Sequence, residues 1–121
     1  MDYMDAQNVQ GNLPILFTRI GRWWGADPVE KTQVEIDLIA SDGNDYIIGE
    51  CKWRKNKIEM KVLEELKKKA DVFRKKRRRT WYVLFSKSGF SESVIEEAQK
   101  DESILLVGLD DIMRKEVSAV L

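Results

Sequence analysis

Two apolar stretches, VEIDLIA at 34–40 and YIIGECKW at 46–53, flank the turn-rich SDGND, and this spacing leaves few folds open. Side chains alternate across a strand. Val34, Ile36, Leu38 and Ala40 are therefore expected on one face of the first strand, with Glu35, Asp37 and Ile39 on the other. Asp, Gly and Asn between two such runs signal a β-hairpin. If the loop is the four residues from Asp42 to Asp45, Asp37 stands opposite Glu50, with the two Cβ atoms ~5 Å apart.

The remainder fills in around that hairpin. From Ile58 to about Arg77, Met60, Leu63, Leu66, Ala70 and Phe73 recur at steps of three and four, which predicts a helix with one apolar stripe. Its polar face offers Glu64–Lys68 and Glu65–Lys69 at i,i+4 spacing. Thr80 to Ser86, TWYVLFS, is nearly continuous in apolar character, as expected of a strand covered on both faces. Ser91 or Ser93 caps a short helix to about Lys100, with Ser93 and Glu96 spaced as a capping box. Ile104 to Leu109 is a last strand, and Asp110 opens a final short helix.

Upstream, residues 1–12 are polar and aperiodic and are expected to be disordered or truncated. Leu13 to Ile20 is a short apolar helix or strand, and GRWWGADP reads as a turn. A single domain over 13–121 follows. Its order of hairpin, helix, strand, helix, strand describes an α/β mixed sheet with flanking helices.

Composition narrows the chemistry. The chain has 121 residues and no histidine, which removes Ser-His-Asp and Cys-His catalysis and any histidine-bound zinc. Carboxylates, lysines and a hard metal ion remain. The lone Cys51 suits a reducing compartment and reads as a small buried residue, because no base is at hand to activate it. No apolar run approaches the ~20 residues that span a bilayer. The N-terminus lacks the pattern of a secretory signal, so a cytoplasmic location is expected.

The zero net charge conceals a division. Cys51 to Thr80 holds 14 Lys and Arg against 4 Asp and Glu, and the rest of the chain holds 7 against 17. Such asymmetry points to a polyanionic partner or to a solvated helix face. Lys68, Arg74, Lys75, Arg77, Arg78 and Arg79 are the candidates for phosphate contacts, although a helix C-terminus also favours cations. Trp23 and Trp24 either anchor a turn in the core or stack on bases. Trp53 is expected to face the helix layer.

The chemistry centres on Asp37 and Glu50-Cys51-Lys52. Glu50 and Lys52, two apart on a strand, share a face. Two adjacent carboxylates suit Mg2+ or Mn2+, and a lysine beside them can orient water or neutralise a phosphate. Glu35 is a weaker candidate for an outer ligand. This set resembles the PD-(D/E)XK, restriction-endonuclease-like superfamily, whose core hairpin carries Asp on one strand and Glu-x-Lys on the next. IGRWWG, EIDLIA, GECKW and LFSKSGFSE look like the domain at the C-terminus of many archaeal and bacterial P-loop ATPases. The resemblance implies a metal-dependent domain hydrolysing DNA phosphodiester bonds, with Asp37, Glu50 and Lys52 as catalytic residues and Asp37 and Glu50 on the metal. It also implies an ATPase partner in the same or an associated chain. The alternative is an idle DNA-docking or protein-interaction module. Related nucleases carry a further glutamate on a leading helix, whereas no glutamate precedes Glu30 here, and no GxxxxGK[ST] occurs.

Overall fold

The computed structural model describes residues 2–26, 31, 33–73 and 79–112. The hairpin forms where expected. β2 (Gln33–Ser41) and β3 (Tyr46–Lys52) pair antiparallel from Ser41↔Tyr46 to Leu38↔Gly49. The loop between them is an Asx turn. Asp42 Oδ1 accepts the N–H groups of Asn44 and Asp45 at 2.9 and 2.8 Å, and Ser41 Oγ accepts that of Gly43 at 2.9 Å. Gly43 sits at φ +99°, where a side chain would be strained.

β1 (Arg19–Ala26) pairs antiparallel with β2, so RIGRWWGA is an edge strand and not the turn its glycines suggest. Gly25 leaves room for the Trp23 ring, which covers the position a Cβ would take. β4 (Thr80–Ser86) and β5 (Ile104–Gly108) extend the sheet in parallel beyond β3. Among the described residues, five strands lie in the order β1-β2-β3-β4-β5, antiparallel on one side of β3 and parallel on the other.

Both faces are covered. α2 (Met60–Val72) and α3 (Glu92–Lys100) lie on one side, where Leu63, Leu66, Ala70 and Val94 bury against Ile36, Ile48 and Leu84. Each fully buried leucine contributes about 1.5–3 kcal/mol. Phe73, just past α2, meets Trp23 and Tyr46 edge-on at ring separations of 5.2 and 5.4 Å. α3 is capped by Ser91, whose Oγ accepts the Val94 N–H at 3.4 Å, so Ser93 lies inside the helix and the expected Ser93–Glu96 box does not form. No helix of the described residues is long and apolar enough to cross a membrane.

The opposite face corrects the expectation of disorder at 1–12. Residues Asp2–Gln10 form α1, and Met4, 1% exposed, joins Ile15, Phe17, Ile47, Val83 and Phe85 in a second core. No helical period announces it. Tertiary contacts hold it instead. Asn8 accepts the Phe17 N–H at 2.8 Å and donates to the Phe17 carbonyl at 3.0 Å, tying α1 to the chain nine residues on. Asn8→Ala is expected to cost about 1–2 kcal/mol. Amide exchange should show the loss of protection concentrated in α1, with β3 and β4 unchanged.

One register step matters most. Between Gly21↔Ile39 and Trp23↔Ile36, two β2 residues, Asp37 and Leu38, face one β1 residue, Arg22. This β-bulge reverses the facing of the strand. Ile36 lies under α2 with Ile39, whereas Leu38 and Ala40 lie on the α1 side. The expected single apolar face from Val34 to Ala40 is therefore split in two at Asp37.

Candidate functional site

Glu50 and Lys52 leave β3 on the same face as Ile48, the α2 side, as a period of two requires. Glu50 is 6% exposed. Burying a carboxylate costs several kcal/mol unless it is paired, and here both oxygens are paired. Lys52 Nζ stands 3.4 Å from Oε1, and Lys69 Nζ stands 3.2 Å from Oε2. Lys69 comes from the last turn of α2 and is part of the site that sequence reasoning missed. It was expected on the helix surface with Glu65, but Lys61 is the residue near Glu65, at 4.0 Å. The available signal was its place beside Ala70 at the margin of the apolar stripe, where a long side chain can reach the sheet.

The hairpin ladder ends at Leu38↔Gly49, one pair short of the expected Asp37–Glu50 pair, and Asp37 lies in the bulge. The backbone ladder stops there, and Asp37 Oδ2 accepts the Cys51 N–H at 3.0 Å. The carboxylate thus replaces the backbone partner that the bulged strand withdraws. Asp37 and Glu50 line one cleft of about 690 Å³ together with Arg22, Cys51, Tyr3 and Phe85. α1 therefore borders the site, but with Tyr3 and Met4, and not with a glutamate.

Cys51 is exposed, which corrects its assignment as a buried residue, and it lies on the opposite face of β3 from Glu50. Desolvation raises its thiol pKa, the Asp37 and Glu50 carboxylates raise it further, and Arg22 and Lys52 act in the other direction. Asp37→Asn removes one of the raising charges, so Cys51 should alkylate faster at pH 8 than in the parent chain. An unchanged rate across pH 7 to 10 would separate the two residues electrostatically.

The remaining candidates disperse. Trp23 packs into the α2 core, whereas Trp24 is 57% exposed. Trp53 follows the end of β3 and is 47% exposed, so it does not face the helix layer. Glu35, opposite Trp24, is exposed. Lys68 is exposed on α2, and Arg74, Lys75, Arg77 and Arg78 lie outside the described residues. Arg79 stacks over Trp81 at 4.6 Å, and its carbonyl accepts the Tyr46 N–H at the start of β3. Lys52 is six strand residues further on, about 20 Å away. The described end of the basic run is thus at the opposite end of the sheet from Glu50.

Two carboxylates are hard donors suited to Mg2+ or Mn2+. Among the described residues no three Asp, Glu, Cys or His side chains gather to hold an ion, so water or substrate oxygens must complete any coordination. Asp37 spends one oxygen on the backbone, and the ammonium groups beside Glu50 occupy positions from which an ion would displace them. An ion bound by this pair would therefore be held weakly.

A family model described as archaeal and bacterial proteins of unknown function matches residues 1–68, more than half of the chain. The chain belongs to this family, DUF234. Among curated proteins nothing matches it. Two solved structures are similar to this DUF234 member. One is a protein of unknown function, AF1548, at 19% identity and a TM-score of 0.54, covering 88% of this chain and 55% of that one. The other is the DNA modification-dependent restriction endonuclease AspBHI, at 18% identity and a TM-score of 0.54, covering 99% of this chain and 31% of that one. The chain thus spans about half of the first structure's length and a third of the second's. The fold is α/β and restriction-endonuclease-like, with a mixed sheet, five-stranded among the described residues, and flanking helices.

Proposed function

We propose that this domain is a metal-dependent nuclease that hydrolyses DNA phosphodiester bonds at Asp37, Glu50 and Lys52. The observation that carries the reading is that Asp37, at a bulge, and Glu50 line one cleft, with the Lys52 ammonium on Glu50. Asp37 and Glu50 would hold Mg2+ or Mn2+, which supplies Lewis-acid activation of phosphate and water. Lys52 orients the attacking water and offsets the negative charge that grows on the phosphate. The water oxygen attacks phosphorus, the bond to one sugar oxygen breaks, the water loses a proton and the departing oxygen gains one. Lys69 neutralises the buried Glu50 carboxylate from α2.

The likeness in fold to a DNA modification-dependent restriction endonuclease supports this reading at the level of the scaffold. The motif resemblance further supports a role beside a P-loop ATPase, as its C-terminal part or as an associated chain. A specific observation favours a second reading, that of an idle DNA-docking module. Both Glu50 oxygens are already engaged by lysines, and no third ligand joins the two carboxylates among the described residues. Nicking of supercoiled plasmid separates the two. The nuclease reading expects weak nicking with Mn2+ or Mg2+ that stops in EDTA and is absent from Glu50→Gln. Plasmid that remains intact in every metal would leave the docking reading in its place.

A further inference from the structure

We propose that the loop 53–57, Trp53-Arg54-Lys55-Asn56-Lys57, is the DNA-gripping element of this domain, its cations holding the backbone of a single strand while Trp53 stacks on an unpaired base. The inference rests on the DNA reading above and moves the contact surface away from the basic run at 74–79.

Between Glu50 and Glu59 the chain carries Lys52, Arg54, Lys55 and Lys57 and no acid. All five loop residues are exposed. The loop leaves β3 at Lys52, which pairs in register with Ser86, so it stands at the carboxyl ends of the parallel strands, two residues beyond Glu50. Exposed Lys87 adds a further cation from the adjoining turn. The loop is also held in place. Ser88 Oγ donates to the Arg54 carbonyl at 2.6 Å, and the Ile58 N–H donates to the Gly89 carbonyl at 3.0 Å. The Ser91 N–H donates to the Ile58 carbonyl at 2.9 Å, and Ile58 itself is 1% exposed. A pinned loop gives up little freedom on binding. An exposed indole among cations is the arrangement that holds single strands, with charge tracking the phosphates and the ring stacking on a base of any identity. Arg79, by contrast, already lies over Trp81 at the far end of the sheet.

The test is fluorescence anisotropy in EDTA with a labelled single-stranded oligodeoxynucleotide and its blunt duplex. Trp53→Ala should weaken single-strand binding about tenfold, with a smaller effect on the duplex. Arg54→Ala/Lys55→Ala/Lys57→Ala should flatten the dependence of log K on log salt by about 2, from three lost phosphate contacts on a single strand. Lys55→Glu, with an unchanged melting temperature, is the second variant and should also weaken binding. Arg79→Ala should bind as the parent does. Parent-like binding by the loop variants, a larger loss from Arg79→Ala, or no binding by the parent chain would overturn the inference. Because EDTA removes any cleavage, the two proposals fail separately. Nicking with parent-like loop variants sinks the loop alone, and loop-dependent binding without nicking sinks catalysis alone.

Discussion

Lys52→Ala is expected to reduce plasmid nicking about 100-fold or more while Mn2+ binding is kept or tightened, because one of the two ammonium groups that an ion must displace from Glu50 is gone. The split follows from where the lysine sits. Its ammonium reaches Glu50 Oε1 at 3.4 Å from the same strand face, so it can address water or phosphate, but a cation cannot ligate a cation. Lys69 continues to neutralise Glu50 in the variant, so the carboxylate stays paired and the fold is retained. Asp37→Ala should behave differently and lose nicking and metal binding together. It also leaves the Cys51 N–H without its acceptor, which costs about 1 kcal/mol or more in stability. A Lys52→Ala protein that lost metal affinity as severely as Asp37→Ala would mean that the lysine acts only by shaping Glu50.

The second large effect is structural and arises one residue from the site. A Cβ on Gly49 would stand 2.6 Å from Val83 Cγ1 and 3.3 Å from both the Val83 carbonyl oxygen and Leu38 Cβ. Val83 is 1% exposed and fixed between β3 and β5, so it has little room to yield. Gly49→Ala is therefore expected to destabilise the domain by about 1–3 kcal/mol. Thermal unfolding followed by circular dichroism should show a fall of about 5 to 15 °C. Since Gly49 precedes Glu50 and faces Leu38, the same strain should loosen the carboxylate pair. A melting temperature within about 2 °C of the parent would show that Val83 changes rotamer at small cost.

The parts of this fold that local chemistry determines were readable. Period-two alternation and the SDGND turn place Glu50 and Lys52 on one face, and the turn length sets the hairpin register as far as Leu38↔Gly49. The stripe through Leu63, Leu66, Ala70 and Phe73 identifies α2. What escaped reading depends on distant partners. β1 carries two glycines that imitate a turn, yet Gly25 serves to admit the Trp23 ring. α1 is polar and aperiodic, and it is held by Met4 in a core built from residues far along the chain. The bulge at Asp37 leaves the alternation of VEIDLIA intact on paper while reversing its faces in space. Lys69 looked like one lysine among many until the sheet placed Glu50 beside it. The basic run drew attention by charge alone, whereas the shorter stretch at 54–57 follows closely on Glu50 and Lys52 in the chain.

The central claim is that Asp37 and Glu50 together hold a divalent cation. Calorimetric titration with Mn2+ tests it most directly, because it needs neither substrate nor turnover. The parent chain should bind one Mn2+ with a dissociation constant of roughly a millimolar, since only two protein carboxylates contribute and Lys52 and Lys69 must give way. Asp37→Ala and Glu50→Gln should each abolish the binding heat. Absence of binding by the parent at millimolar Mn2+, or equal binding by both variants, would contradict the account.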